Sequence, residues 1–298
     1  SLADDPVIYR DFYRRELETA AAANVQILEL RSFLDFPTRP DGEATPAEAL
    51  RTLQELYADV HRTYPDFRLR IIYSRERSAE LGQIRKFLKD AVKLRQDFPE
   101  WMAGFDLVGQ EQGGRKLADL VPLFQAAKYE AERLGTDLPL FLHASEGADA
   151  DQELPNVATA LLLGSRRIGH GLGLIDHPEV LRRVREQSIP LEVCLASSHI
   201  LGNTAEISHH PARAWFRDGV RISVNPDDPG IMGCDLALDW YLAFVAWQLN
   251  LTELKRLILN GLEGCSLPPD QQQAVIEVWN RRWREWVADI DRTLTNSQ

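Results

Sequence analysis

Along this chain, short apolar runs alternate with longer stretches whose apolar residues recur at helical spacing. Ile8–Ala23 is the first helical stretch, with Phe12, Leu17 and Ala20 on its apolar face, and Val25–Arg31 follows as a strand. A segment rich in Pro and Asp, Phe36–Glu43, leads to a helix over Pro46–Thr63. Its entry, Thr45-Pro46-Ala47-Glu48, supplies a hydroxyl cap, a first-turn proline and a glutamate placed to close a capping box. Phe67–Tyr73 is the second strand, Ser78–Arg95 a helix, Met102–Val108 the third strand and Leu117–Leu134 the helix behind it. Pro139–Leu142, Arg167–His170, Pro190–Cys194 and Val220–Val224 complete the strands, with helices over Asn156–Leu163 and Pro178–Glu186. Helices near Leu236–Leu249, Thr252–Gly261 and Pro269–Thr293 follow, the last carrying Trp279, Trp283 and Trp286.

Strands that alternate with helices predict a parallel sheet. Seven such strands describe a (β/α)8 TIM-type barrel that lacks one strand. No composition break divides the chain, so residues 1–298 are expected to form one barrel domain. A doubly wound open sheet is the alternative. Against it, no Gly-x-Gly-x-x-Gly turn follows any strand, and the candidate chemistry is spread over many strand ends.

Composition narrows the function classes. The net charge of −11 argues against an electrostatic grip on nucleic acid or an anionic membrane. No stretch approaches the roughly 20 continuous apolar residues of a membrane span. Cys194, Cys234 and Cys265 are odd in number and too few for a disulfide scaffold, which leaves the redox compartment open. The chain starts Ser1-Leu-Ala-Asp-Asp5, with neither an initiating methionine nor an apolar signal region, so a processed protein or a segment of a longer one is expected.

The chemistry gathers where strands end. Pro139–Leu142 stops at His143, with Glu146 three positions on. Strand three runs into Asp106 and Gly109-Gln110-Glu111, strand five into Gly169-His170-Gly171, and strand seven into Asn225-Pro226-Asp227-Asp228-Pro229. In a parallel barrel these residues share the C-terminal mouth. His143 and Asp227 offer one nitrogen and one oxygen to a borderline metal such as zinc. Water beside such a metal is acidified, His170 is placed to hold or deprotonate it, and Glu146 to protonate a ring nitrogen of a substrate. Asp228 is free to hold another substrate nitrogen. Each residue has a plainer reading: a core histidine with a solvated glutamate, a turn at Asp228-Pro229, loop geometry at Gly169–Gly171. Four such coincidences on one face weigh against the plain readings taken together.

His143-Ala-Ser-Glu146, Arg167-Ile-Gly-His-Gly171, Leu191-Glu-Val-Cys194 and Asp227-Asp-Pro229, in that order, resemble the motifs of the adenosine deaminase family of metal-dependent amidohydrolases. Phe105-Asp-Leu-Val-Gly-Gln-Glu111 is similar to that family's substrate-side strand. Arg10-Asp-Phe12, Ile71-Ile-Tyr-Ser74 and Arg282-Trp-Arg-Glu-Trp286 resemble its secreted, growth-factor-related members, and the likeness runs from about Tyr9 to Asp291. The resemblance implies His143 and Asp227 as zinc ligands, His170 as the histidine that orients the attacking hydroxide, and Glu146 as proton donor to purine N1. It implies Gly109 and Asp228 as contacts to purine N3 and N7, and hydrolytic deamination of adenosine to inosine and ammonia.

Three departures matter. Ser145 stands where the family usually has glycine, and Cys194-Leu-Ala-Ser-Ser198 where it usually has Cys-Pro-x-Ser-Asn. The family's first strand ends in His-x-His, which supplies two more zinc ligands, whereas the first histidine here is His61, in a helical stretch. His199, His209 and His210 have the wrong spacing to substitute, and His209-His210-Pro211 is expected to cap a helix. The missing initiating methionine and the resembled family's long N-terminal region favour a fragment of a longer enzyme over a relative that has lost its metal, and the zinc site of this chain alone is expected to be incomplete. Three functions are thereby set against one another. They are a deaminase of adenosine or a related purine nucleoside, an amidohydrolase of the same fold acting on another purine or amine, and a non-catalytic nucleoside- or receptor-binding relative. A homodimer, and an extracellular or cytoplasmic location, stay open.

Overall fold

The computed structural model describes residues 5–35, 45–147 and 150–296; the Pro- and Asp-rich segment Phe36–Glu43 lies outside them. Seven strands are present among the described residues: β1 (Ile27–Ser32), β2 (Arg68–Glu76), β3 (Met102–Val108), β4 (Phe141–Ala144), β5 (Arg167–His170), β6 (Leu191–Val193) and β7 (Ile222–Val224). All pair in parallel and in chain order, β1-β2-β3 and β4-β5-β6-β7. A single parallel bridge, Phe105 to Leu140, joins the two sets, with the Phe105 N–H donating to the Pro139 carbonyl at 2.9 Å. Gly104 is needed there, because a Cβ would lie 2.2 Å from the Pro139 carbonyl oxygen.

The result is a (β/α)8-type barrel wall of seven strands, with a seam between β7 and β1 where no ladder forms among the described residues. Burial follows from this. β3, in mid-wall, is buried up to Leu107, whereas Ile27 to Arg31 of β1 are only half-buried because one edge faces the seam.

The helices lie outside the wall: α1 (Pro6–Ala22), α2 (Pro46–Thr63), α3 (Leu81–Asp97), α4 (Leu117–Arg133), α5 (Ala150–Leu162) and α6 (Pro178–Glu186). Beyond β6 come α7 (Leu195–Ile200) and α8 (Ala212–Arg217), and beyond β7 come α9 (Pro229–Met232), α10 (Leu236–Ala246), α11 (Leu251–Glu263) and α12 (Pro269–Asn296). Their apolar faces form one core with the strands, including Leu50, Leu53, Phe105, Phe124, Leu142 and Trp247. Thr45 begins α2 as expected: its Oγ accepts from the Glu48 N–H at 3.4 Å, and Glu48 accepts from the Thr45 N–H at 2.8 Å.

Two expectations need correction. β4 runs from Phe141 to Ala144, so His143 is a strand residue paired with Gly169 rather than the first residue past the strand. The polypeptide after β6 also folds into α7 and α8, and into α9 after β7, where periodicity is too short to announce a helix. The expected cap at His209-His210-Pro211 is present, with the Ala212 N–H donating to His210 Nδ1 at 3.2 Å. No helix among the described residues is long and apolar enough to cross a membrane.

Candidate active site

The C-terminal ends of β3, β4, β5 and β7 converge on one mouth. His143, His170 and Asp227 each place a ligand atom within 4.8 Å of one another there, the one such group of three among the described residues. The register brings His143 opposite Gly169, and a Cβ on Gly169 would come within 3.0 Å of the His143 ring. That glycine lets the two histidine rings approach to 5.1 Å between centroids.

His143 is oriented from behind. Its Nδ1 lies 2.6 Å from Asp106 Oδ2, and its backbone N–H donates to Asp106 Oδ1 at 2.9 Å. An ionised carboxylate only accepts, so Nδ1 carries a proton, and in the neutral ring it is Nε2 that keeps a lone pair for the site. Burial alone would raise the Asp106 carboxyl, but the charges of His143 and Arg31 and their hydrogen bonds hold it below the usual carboxylate range. Burial likewise opposes charge on His143, and the neighbouring Asp106 carboxylate overrides it and pushes the imidazole up. Asp106 is fully buried inside an apolar strand.

Asp227 is fixed from the other side, with Ser197 Oγ donating to its Oδ2 at 2.7 Å. Asp239, fully buried on α10, accepts from the Leu195 and Ala196 N–H groups at 2.8 and 3.1 Å. This explains the tolerance of leucine where the resembled motif has proline: the Leu195 N–H that a proline would lack finds a partner. His170 is buried in the left-handed backbone region at φ +61°, and its Nε2 lies 3.6 Å from Glu146 Oε1. Burial, then the charge of His143, push the His170 imidazole down. Asp228 is pushed up by burial and by the adjacent Asp227 charge.

Ser145 also takes a left-handed backbone, φ +64°, which is the conformation glycine adopts most readily. Its Oγ accepts from the Gly173 N–H at 2.9 Å and ties the exit of β4 to the 3₁₀ turn Leu172–Asp176. Gly109 has φ +92°, and a Cβ there would sit 2.7 Å from Glu76 Oε2.

The donor set suits zinc: a free imidazole nitrogen from His143, an Asp227 oxygen beside the one held by Ser197, and His170 within reach. His199 is turned elsewhere, its Nδ1 3.3 Å from the Thr204 carbonyl oxygen. Gly109, His143, Glu146, His170, Asp227 and Asp228 line one cleft of ≈ 2370 Å³. A small-molecule pocket measures roughly 300–1,000 Å³. The excess is the seam, whose walls are Ile27–Arg31 and Ser223–Asn225, flanked by Phe12, Ile258, Leu262 and Trp279.

Sequence reasoning named these six residues, gave Asp106 a place near a strand end but no role, and passed over Arg31, Glu192, Ser197 and Asp239. The available signal was a charge inside an apolar strand, as in Phe105-Asp-Leu107 and Leu191-Glu-Val193.

The family model described as adenosine deaminase matches residues 45–280. Adenosine deaminase 2 of Sus scrofa is 35% identical over 295 residues, which cover 96% of this chain and 56% of that protein. Adenosine deaminase 2 of Homo sapiens is 32% identical over 95% of this chain and 56% of its own length. The chain therefore spans little more than half of these relatives. Among solved structures, a cog1816 amidohydrolase crystallised with bound Zn superposes with a TM-score of 0.77 at 24% identity. That match covers 96% of this chain and 75% of the other, and supports the fold.

Proposed function

The chain belongs to the adenosine deaminase family, and on that premise we propose that it forms the barrel of a zinc-dependent hydrolase acting on adenosine or a related purine nucleoside. The reaction replaces the C6 amine with oxygen and releases inosine, or its counterpart, and ammonia. The observation that supports this reading is the convergence of His143, His170 and Asp227 within 4.8 Å, with Glu146 beside His170.

His143 Nε2 and an Asp227 oxygen are the metal-holding atoms. Zinc, when held there, supplies the acidification of water that lets it attack at neutral pH. His170 orients that water over C6 and receives its proton. Glu146 holds the proton that passes to purine N1, which receives the C6–N1 π electrons as C6 becomes tetrahedral, and the proton taken up by His170 leaves with the amine as ammonia. Gly109 presents backbone to N3, and Asp228 faces N7. Residues 1–298 contain no His-x-His pair, and the seam between β7 and β1 is where a strand carrying such a pair would fit.

Ser145 and Leu195 are each accommodated by local hydrogen bonds, so these two departures do not by themselves argue for another purine or amine as substrate. The test compares residues 1–298 with a form extended upstream of Ser1 for zinc content after dialysis against a weak chelator and for ammonia release from adenosine. The extended form is expected to keep one zinc and turn over, and the 298-residue chain to do neither. Zinc retained by the extended form without ammonia release from any purine nucleoside would favour the non-catalytic relative.

A further inference from the structure

Six charged or ionisable side chains run through the barrel interior in alternation. Glu29 meets Arg167 at 2.9 Å, Arg167 meets Glu192 at 2.6 Å, and Glu192 meets Arg31 at 2.7 Å. Arg31 then meets Asp106 at 2.7 Å, and Asp106 meets His143 at 2.6 Å. The central member is Arg31, on the strand that borders the seam. Its Nε donates to Asp106, and one of its terminal nitrogens donates to both Glu192 and, at 3.2 Å, the Phe141 carbonyl. One guanidinium thus ties β1 to β3, β4 and β6, across two sets of strands that share a single backbone bridge.

We propose that Arg31 is a positioning residue for His143: it pins the Asp106 carboxylate so that the ring proton of His143 stays on Nδ1 and the Nε2 lone pair faces the site. The chemistry is that of a fork. Asp106 Oδ2 accepts from Arg31 Nε and from His143 Nδ1 together, so the same oxygen that anchors the ring is itself anchored by a group that never gives up its proton. Without Arg31, the buried carboxylate keeps the His143 ring and the His143 backbone N–H as partners but has no fixed charge to compensate it. It is then held less firmly against the ring, and the preference for a proton on Nδ1 weakens. A lysine keeps the charge but cannot span Asp106, Glu192 and the Phe141 carbonyl at once. The consequence for function rests on the reading of His143 as a metal-holding residue, since a proton on Nε2 would block that atom. Carboxylate partners of this kind typically change metal affinity about 10–100-fold when removed.

The test reads the ring directly and needs neither zinc nor turnover, so its failure is separable from failure of the deaminase reading. Long-range ¹H–¹⁵N correlation spectra of histidine-labelled, metal-free protein are recorded over a pH series carried upward until the His143 ring is neutral, for wild type, Arg31→Met and Arg31→Lys. His143 is assigned by the signals missing from His143→Gln. Wild type is expected to show His143 protonated at Nδ1, with an unprotonated Nε2. Both variants are expected to lose that single pattern and gain signals of the Nε2-protonated ring, while His61 and His210, held by partners of their own, keep theirs. Should Arg31→Met fail to fold, Arg31→Lys is read by the same criterion. Retention of the wild-type His143 pattern in any folded Arg31 variant overturns the proposal.

Discussion

Ser197 donates its hydroxyl to Oδ2 of Asp227 at 2.7 Å, from a short helix whose first backbone N–H groups are held by the buried Asp239. The relationship restrains one oxygen of the carboxylate that shares a site with His143 and His170. It gives α7 a role in the site although no residue of α7 belongs to the candidate metal group. Ser197→Ala is expected to lower the zinc affinity of the zinc-holding form about 10–100-fold with little loss of folding stability. Chelator competition measures it, and an unchanged affinity would show that Asp227 is fixed by the backbone alone.

Glu146→Gln is expected to reduce turnover by about 10²–10⁴-fold in the zinc-loaded enzyme, because an amide has no proton to pass to the purine ring. Zinc content and nucleoside binding should stay close to wild type. Adenosine deamination at near the wild-type rate by the Gln variant would remove Glu146 from the mechanism.

Asp239 gives a prediction in pH. Burial pushes its carboxyl up to about 6, against the two backbone N–H groups that favour the charge. A folded-state value above the ordinary 3.8 means that its contribution to stability is greatest below that value and is lost as pH rises through about 6. Asp239→Asn keeps an acceptor oxygen for Leu195 and Ala196 but cannot ionise. The stability of the variant relative to wild type should therefore become more favourable between pH 4 and 7, by on the order of 2 kcal/mol, and its relative Tm should rise with it. Parallel Tm profiles for the two proteins over that range would show that Asp239 does not titrate in it.

Glu192 behaves in the opposite sense. Burial would raise its carboxyl, but the Arg31 and Arg167 charges hold it far below the usual range. Its stabilisation is present above the ordinary carboxylate pKa and is lost as pH falls below it. Glu192→Gln leaves the buried Arg167 and the half-buried Arg31 without their shared carboxylate, which should cost about 3–5 kcal/mol near neutral pH. Urea unfolding at pH 7 measures that loss. A cost under about 1 kcal/mol would mean that Glu29 and Asp106 suffice for both arginines.

Much of the architecture was legible in the linear pattern. Met102–Val108 and Arg167–His170 were bounded correctly because their apolar runs end at glycine or at polar turns. Pro46–Thr63 was bounded by its capping box, and Pro178–Glu186 by a proline start. The short helices after β6 and β7 were not legible, since four to six residues give no period to read. They form because neighbouring elements satisfy their ends, as Asp239 does for α7.

The division between sequence and tertiary structure falls between the residues that face the reaction and those that hold them. By itself the sequence determined seven parallel strands in order, and the presence of His143, Glu146, His170, Asp227 and Asp228 at strand ends. Alternation and spacing are local properties, and parallel pairing carries every strand end to the same mouth. Only the tertiary structure decided that Asp106 turns His143, that Ser197 turns Asp227, and that one arginine on the seam-side strand joins Asp106 to Glu192. Those partners lie 30 to 161 residues apart in the chain, and no local pattern encodes a pairing across the barrel. A buried charge must nevertheless find its counterpart once water is excluded, and that requirement is met only when the wall has closed around it.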